Sequence, residues 1–306
     1  MGKTIAEKII QSHADEEVSA GKIVWLKIDV RSARDFGGAN VVKAFNQHYP
    51  GDKVNDSSKT VFTFDCNVPA NTIAYASNQH LCRKFARGQD IQVYDCNAGI
   101  GSHVAIENGL ALPGSTMVGT DSHLNILGAV GAFGQGMGDQ DIAFVFKAGK
   151  TWFEVPETMK VNIKGKLPKG CTAKDLTLKV CGTLTSKGAL GMAMEFYGEA
   201  IDSLDLAGRI TLASMATEMG AIAALIPPNK EILKHCEKAT GRKVEGVYAD
   251  PDAKYVKEIT IDISSLKPQI AKPPKPDAVV DVESLGNVPG DSVFIGSCTN
   301  GTYEDL

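Results

Sequence analysis

The amino-acid sequence predicts an α/β protein in which mostly parallel sheets are covered by helices. In the first half of the chain, short apolar segments alternate with longer segments of helical spacing, which is typical of parallel α/β units. Polar residues follow several of the apolar segments directly, and ligands bind beyond the carboxyl ends of parallel strands. A chain of 306 residues is long enough for about two domains.

The first half is expected to form one α/β domain over residues 1–156. Its predicted strands are Lys22–Val30, Thr60–Phe64, Ile91–Tyr94 and Ser115–Gly119. Its predicted helices cover residues 1–20, the segment after Asn40 as cap, Asn71–Ala86, and the segment from Asp139 as cap to Gly149 as stop. Arg31–Gly38 is polar and contains glycine, so it is predicted to be a turn.

The second half is expected to form another α/β domain over residues 157–268. Its predicted strands are Met159–Gly165, Met192–Tyr197, Ile222–Ile226 and Lys257–Ile263. Its predicted helices are Ala173–Leu184, Leu204–Met219 and Asn229–Thr240. A Pro/Lys linker is predicted at Gln269–Asp277, and a strand at Asp291–Ile295, so residues 269–306 are interpreted as a linker and the start of an incomplete third domain.

Composition excludes several classes of function. The formal net charge is −4 and the sequence has no basic stripe, so nucleic acid is not an expected partner. No apolar run reaches the ~20 residues that a membrane span needs. The seven cysteines are an odd number without a CxxC, and the chain does not begin with a secretory signal, which favours reduced thiols and a cytoplasmic location.

Acidic residues and histidines stand near the ends of predicted strands. Asp65 and Asp121 follow strands directly, and Asp121 begins the triplet with Ser122 and His123. His103 lies in a predicted loop after the third strand. We expect these residues to share one crevice, where an aspartate beside a histidine supports acid–base chemistry. The other interpretation is that these loop residues cap turns.

Two further residues have alternative interpretations. Cys298 lies in a glycine-bounded turn and is either a thiolate ligand or nucleophile, or a small buried residue. Glu218 lies near the end of a predicted helix, where the helix dipole disfavours a carboxylate, so it is either held there for a site or solvated. Glycines at 128, 131, 134, 136 and 138 match neither dinucleotide nor phosphate-loop motifs, which favours close backbone packing over a nucleotide site.

Taken together, these residues resemble the aconitase superfamily, and within it the large subunits of 3-isopropylmalate dehydratase and homoaconitase. The resemblance extends over nearly the whole chain. It rests on the ordered blocks TIAEKI (4–9), NVPANT (67–72), GTDSH (119–123), KTWFEVPETMKV (150–161), PDAKYVKEITIDISSLKPQIA (251–271) and SCTNG (297–301).

The resemblance implies an aconitase-like fold and an iron–sulfur hydro-lyase that isomerises a hydroxy-dicarboxylic or tricarboxylic acid by dehydration and rehydration. In this family a [4Fe–4S] cluster polarises the substrate through an iron that lacks a protein ligand. The implied roles are as follows: Cys298 as the first of three cluster cysteines, Glu218 facing the open iron, Asp65 acting on the leaving hydroxyl, and His103, Asp121, Ser122 and His123 as further catalytic residues.

Several positions depart from the family pattern. The Asp-His pair reads Asp65-Cys66, and a thiol does not deliver a proton near neutral pH as an imidazolium does. The turn His-Asp-x-Thr-Thr reads Arg34-Asp35-Phe36-Gly37-Gly38, the expected asparagine is Ser214, and the expected threonine is Leu124. Asp35, Cys66 and Ser214 are therefore expected in an altered substrate-binding pocket.

The resemblance also implies components outside the sequence. The two remaining cluster cysteines and the carboxylate-binding arginines of the family would lie beyond Leu306, so we expect this chain by itself not to hold a full cluster. A small subunit with the swivelling domain is the expected partner. The expected function is that of a 3-isopropylmalate dehydratase large subunit in leucine biosynthesis. The alternatives are a hydratase of 2,3-dimethylmalate or citraconate and an inactive scaffold.

Overall fold

A computed structural model describes residues 2–303 as a mixed α/β structure. The helices are α1 (Ile5–His13), α2 (Gly38–His48), α3 (Ile73–Gln89), α4 (Gly101–Glu107), α5 (Asp139–Ala148), α6 (Ala173–Leu184), α7 (Glu199–Asp202), α8 (Leu206–Ser214) and α9 (Lys230–Thr240). The strands are β1 (Ile23–Lys27), β2 (Val30–Arg34), β3 (Thr60–Thr63), β4 (Gln92–Tyr94), β5 (Thr116–Gly119), β6 (Phe133–Gly136), β7 (Lys150–Glu154), β8 (Thr158–Lys164), β9 (Ala193–Tyr197), β10 (Ala223–Leu225), β11 (Lys257–Asp262), β12 (Gln269–Ala271) and β13 (Val279–Asp281). None of the helices formed by these residues combines the length and apolar character that crossing a bilayer requires.

Two parallel sheets organise the molecule, as the sequence predicts. The first has the order β4-β3-β2-β5-β6 and the second the order β10-β9-β8-β11. In the first sheet the chain moves outward from β2 through β3 to β4, and then returns to the other side of β2 with β5. The carboxyl ends of β2 and β5 therefore form a topological switch point, where open α/β sheets bind ligands.

A buried 3₁₀ segment, Leu124–Val130, joins the two sheets. It follows β5, and it packs against α8, β6 and β10. A Cβ atom at Gly128 would overlap the carbonyl oxygen of Ala224, so only glycine allows the segment to lie this close to the second sheet. The glycine at 128 thus serves close backbone packing, which the sequence analysis favours over a nucleotide site.

The prediction of one strand over Lys22–Val30 and a turn over Arg31–Gly38 is wrong. The first strand ends at Lys27 and pairs antiparallel with β7, which the sequence analysis missed, while β2 begins at Val30 and lies at the centre of the first sheet. The polarity of Arg31 hid this strand. Its side chain is nevertheless buried, and its Nη2 donates to Asn55 Oδ1 at 2.7 Å.

The predicted helix boundaries need four corrections. The first helix ends at His13 because Ala14 bridges to β1, so it does not continue to residue 20. Asn40 lies inside α2, and Asp139 is the first residue of α5, so neither is the N-cap. Their side chains instead hydrogen-bond to each other at 2.9 Å and tie the two helices together. The predicted helix Leu204–Met219 ends at Ser214.

The C-terminal region differs most from the prediction. The Pro/Lys segment is part of the antiparallel hairpin β12–β13, which packs on α6, so it is not a free linker. Asp291–Ile295 forms no strand, and its apolar side chains are exposed. The domain limits at residues 156 and 268 remain predictions. The last part of the predicted third domain, residues 304–306, lies outside the described residues.

A buried carboxylate attaches the amino-terminal helix to the second sheet. Glu195 on β9 accepts hydrogen bonds from the backbone N–H of Ile5 at 2.6 Å and, less closely, of Ala6. The hydroxyls of Tyr197 and Tyr255 donate to its other oxygen at 2.7 and 2.9 Å. Burial raises the pKa of Glu195, although all four donors favour the ionised form.

Replacing this carboxylate tests its contribution to stability. Glu195→Ala leaves four donors without an acceptor and should lower the free energy of unfolding by about 2–4 kcal/mol. Glu195→Gln keeps one hydrogen-bond acceptor and should lower the free energy of unfolding by less than Glu195→Ala does. Denaturant unfolding of the two variants checks the order. Equal stability of Glu195→Ala and wild type would show that water replaces the carboxylate without cost.

A second substitution tests the close approach of the sheets. Gly128→Ala forces the 3₁₀ segment away from Ala224 and should destabilise the protein by about 3 kcal/mol, at the upper end of overpacking effects. Gly88→Ala is the matched control, because Gly88 is exposed within α3 and a Cβ atom there meets nothing. It should stabilise by about 0.5–1 kcal/mol. Similar unfolding midpoints for both variants would contradict the packing argument.

Candidate active site

The switch point of the first sheet collects three aspartates. Asp35 follows β2, Asp65 follows β3 and Asp121 follows β5, so all three lie at the carboxyl edge. This is the shared crevice that the sequence predicts for Asp65 and Asp121. Three neighbouring carboxylates repel one another unless protein groups compensate their charge.

The guanidinium of Arg34 compensates two of these carboxylates. Its Nε donates to Asp65 Oδ1 at 2.8 Å, and its Nη1 lies 3.0 Å from Asp121 Oδ1. Burial lowers the pKa of Arg34, but Asp121 and Asp65 outweigh that effect and raise it. The sequence analysis missed this residue. One feature of the sequence could have identified it: Arg34 stands at the position of the histidine in the family pattern. The segment was predicted to be a turn, whereas Arg34 is the last residue of β2.

The third carboxylate, Asp35, orders the turn after β3. It is fully buried and accepts hydrogen bonds from the backbone N–H groups of Asp65 at 3.1 Å and Cys66 at 3.0 Å, and from Gln79 Nε2 at 3.0 Å. Burial raises the pKa of Asp35, but these donors lower it overall. The oxygens of Asp35 already face these protein donors, and its expected contact with a substrate stays a prediction.

Cys66 borders the crevice but cannot supply a proton near neutral pH. Its Sγ lies 3.4 Å from Asp65 Oδ1. Burial, together with the charge of Asp65, raises the pKa of the thiol to about 12. The carboxylate of Asp65 also accepts a hydrogen bond from the backbone N–H of Gly101, the first residue of α4, at 2.6 Å. Cys66 is thus a neutral thiol at the rim of the crevice.

The ligand atoms of Asp35, Asp65 and Cys66 lie within 4.8 Å of one another, a spacing compatible with a bound cation. Their surroundings argue against one. The Arg34 guanidinium already neutralises Asp65, and Asp35 is surrounded by donors.

His123 pairs with Glu218 across the interface of the two sheets. The ring Nε2 lies 2.9 Å from Glu218 Oε1, and Glu218 belongs to a 3₁₀ turn, Thr217–Met219, after α8. The hydrogen bond to Glu218 raises the pKa of His123, against the effect of burial. Burial raises the pKa of Glu218, but His123 lowers it overall. Of the two interpretations of Glu218, the solvated helix end is therefore excluded, because its carboxylate is held by His123.

Ser122 lies on the other side of the same imidazole. Its Oγ is 3.0 Å from His123 Nδ1, and the residue is exposed. Thr217 Oγ1 donates to the carbonyl oxygen of Ser122 at 3.3 Å, so the 3₁₀ turn Thr217–Met219 contacts both Ser122 and His123. Glu218, His123 and Ser122 form a continuous chain from carboxylate to imidazole to hydroxyl.

His103 and Ser214 both contact the segment that contains Cys298. His103 lies on α4, not in a loop as predicted, and its Nε2 is 3.2 Å from the carbonyl oxygen of Thr299. Ser214 Oγ lies 3.2 Å from Thr299 Oγ1. Ser214 is only 1% exposed, and its expected role in substrate binding stays a prediction.

The turn around Cys298 is anchored to α8. Asn300 Nδ2 donates to Ala207 O at 2.8 Å and to Thr211 Oγ1 at 3.0 Å. Cys298 itself is exposed, which excludes the interpretation of a small buried residue. Lys174 borders a cavity of about 310 Å³ at this turn, and its charge also lowers the pKa of Glu218. The sequence analysis missed Lys174.

The residues present do not by themselves fit the three-cysteine ligand set that the family resemblance implies. Cys298 provides one exposed thiol. The Oε2 atom of Glu218 is buried without a hydrogen-bond partner among the described residues, which is consistent with a charged cofactor beside it. Within residues 2–303, however, Cys298 belongs to no group of three or more potential ligands. Only one of the required thiolates is therefore in place.

Comparisons with known proteins agree with the family resemblance of the sequence. The family model described as "Aconitase family (aconitate hydratase)" matches residues 7–291. The 3-isopropylmalate dehydratase large subunit 1 of Methanopyrus kandleri is 44% identical and that of Archaeoglobus fulgidus 40% identical, each over all of this chain and 73% of the relative. The probable methanogen homoaconitase large subunit of Methanothermobacter thermautotrophicus is 39% identical over 99% of this chain and 72% of its own length. The chain belongs to the aconitase family of hydro-lyases.

Proposed function

We propose that the chain is the large subunit of an iron–sulfur hydro-lyase of the 3-isopropylmalate dehydratase type, which acts in leucine biosynthesis. The observation that supports this most directly is the crevice at the switch point, where Asp65, Asp121 and the His123–Glu218 pair lie at one edge. The substrate is a hydroxy-dicarboxylic or tricarboxylic acid. The enzyme removes water from it and adds water back at the neighbouring carbon.

Each group in the crevice has a part in this chemistry. Dehydration needs a proton for the leaving hydroxyl, and His123 beside Glu218 is a suitable acid because its pKa is raised. Asp65 and Asp121, which are both paired with Arg34, offer carboxylate oxygens as hydrogen-bond acceptors for water or for the substrate hydroxyl. His103 lies next to the turn of Cys298, where its Nε2 contacts the carbonyl oxygen of Thr299.

The cofactor and the partner are part of the proposal. Members of the aconitase family generally bind a [4Fe–4S] cluster, and Cys298 is the residue of this chain that would hold one of its irons. Bound there, the cluster would act as a Lewis acid on the substrate hydroxyl and a carboxylate. The relatives named as large subunits support a small-subunit partner, which would carry the swivelling domain and complete the site.

A second candidate function follows from the residues that differ from the family pattern. Arg34 and Cys66 replace two histidines of that pattern in one corner of the crevice. The arginine is permanently charged and extends between two carboxylates, so it alters the space and charge available to the substrate. This favours a related hydratase of a smaller dicarboxylate, such as 2,3-dimethylmalate or citraconate.

A substrate panel tests the function. A large subunit that contains this chain together with the two remaining cluster cysteines of the family, co-expressed with its small subunit and reconstituted anaerobically with iron and sulfide, should convert at least one hydroxy acid among 3-isopropylmalate, homocitrate, 2,3-dimethylmalate and citramalate. Formation of the unsaturated acid is followed by its ultraviolet absorbance. The preferred proposal expects 3-isopropylmalate to be the best substrate, and the second candidate expects a smaller acid. No conversion of any acid by the loaded complex would support an inactive scaffold.

A cysteine substitution tests the cofactor ligand. Cys298→Ser should reduce the iron bound by the reconstituted complex and its visible iron–sulfur absorption, because serine offers no thiolate. Cys96→Ser is the matched control, since Cys96 is also exposed, its Sγ accepts a hydrogen bond from Arg83 Nη2, and its backbone N–H donates to Asp95 Oδ1. It should keep the absorption of the wild type. Equal loss in both variants would remove Cys298 from the proposed ligand set.

A further inference from the structure

The corner of the crevice formed by Arg34, Asp65 and Cys66 lacks a proton donor that functions near neutral pH. The guanidinium does not release a proton, and the thiol has a pKa of about 12. Asp65 accepts hydrogen bonds from Arg34 and from the N–H of Gly101. The proton that converts a leaving hydroxyl into water must therefore come from another residue of the crevice.

The geometry of His123 points to a different route for that proton. The Nε2 side of the ring faces Glu218, so a proton there stays within the ion pair. The Nδ1 side faces the Ser122 hydroxyl at 3.0 Å. Ser122 is exposed at the crevice, whereas the imidazole is half-buried behind it. The hydroxyl of Ser122 is thus the last, solvent-exposed group of the hydrogen-bonded series that runs from Glu218 through His123.

We propose that Ser122 relays a proton from the His123 imidazolium to the leaving hydroxyl of the substrate. This rests on the proposed hydro-lyase function, and it assigns to the serine of the Asp-Ser-His triplet a proton-transfer role. Ser122 is then a catalytic residue that touches the substrate. His123 is the proton store behind it, and Glu218 is the positioning residue that sets the tautomer and stabilises the charged ring.

The relay balances protons and electrons in the dehydration direction. The bond between carbon and the hydroxyl breaks, and its electron pair stays on the oxygen. That oxygen takes the Ser122 proton and leaves as water, while Ser122 Oγ takes the Nδ1 proton of His123, which becomes neutral. The electron pair of the neighbouring C–H bond forms the double bond, and its proton goes to a base of the small subunit. Rehydration reverses each step.

The charges around His123 favour its protonated form. Glu218 and Asp121 stabilise the imidazolium, and Arg34, on the opposite side of Asp121, opposes it. Lys174 acts on Glu218 from α6 and favours its ionised state. Because the carboxylates outweigh Arg34, the imidazolium persists to higher pH than that of an isolated histidine. Activity limited by this acid is lost as pH rises through the pKa of His123.

The chain contains a matched control for this arrangement. Ser12 Oγ also lies 3.0 Å from the Nδ1 of the following histidine, His13, whose Nε2 is 2.6 Å from Asp29 Oδ2. That group lies at the opposite, amino edge of the first sheet, because Asp29 precedes β2. It has the same local geometry without access to the crevice.

The experiment measures kcat and KM against pH for the loaded two-subunit complex, with the best acid of the panel as substrate. Ser122→Ala should lower kcat by roughly 100- to 10,000-fold, as loss of a proton-transfer group does. Ser122→Thr keeps the hydroxyl and should restore most of kcat. Ser12→Ala should match the wild type. Glu218→Gln should shift the alkaline limb of the wild-type kcat profile to lower pH, because His123 loses its main stabilising partner.

The outcomes separate the relay from the proposed function. If Ser122→Ala raises KM but leaves kcat and its alkaline limb unchanged, Ser122 only binds substrate and the relay is wrong. If the limb of Glu218→Gln does not move, His123 is not the proton store and the relay is also wrong. If the wild-type complex converts no acid, the proposed function fails, and the relay fails with it. Circular dichroism of each variant confirms that the fold is retained.

Discussion

The ion pairs of Arg34 with Asp65 and Asp121 are the interaction on which the crevice depends. The topology places three strand ends at one edge, and an aspartate follows each of them. Neighbouring carboxylates without a compensating positive charge would repel one another, which favours their protonated forms or separates the loops that carry them. Arg34 compensates two of them, and the backbone N–H groups of the turn after β3, with Gln79, compensate the third.

The second constraint is the close packing of the two sheets. His123 belongs to the first sheet's connections and Glu218 to the second sheet's, so their hydrogen bond exists only because the 3₁₀ segment at Gly128 lies directly against β10. Glu195 adds a separate attachment between α1 and β9. The acid–base pair of the crevice therefore depends on the packing between the two sheets.

Sequence reasoning succeeded where a local rule applies and failed where burial overrides it. The alternation of strands and helices predicted parallel sheets, and polar residues after apolar segments identified Asp65 and Asp121 at one edge. The polarity of Arg31 to Arg34 predicts a turn because polar residues rarely form a central strand. In the structure Arg34 pairs with Asp65 and Asp121, and the buried Arg31 donates a hydrogen bond to Asn55. His103 was expected in a loop because the glycines before it hid the short helix α4.

The sequence by itself determined the fold class, the family and the edge of the sheet where the reactive residues lie, because hydrophobic periodicity and motif spacing are local properties of the chain. Only the tertiary structure decided which residues act together. It placed Arg34 between two aspartates, buried Asp35 and Ser214, and joined Glu218 through His123 to Ser122. These contacts depend on how the two sheets pack and on which side chains become buried. The spacing of residues along the chain determines neither of these directly.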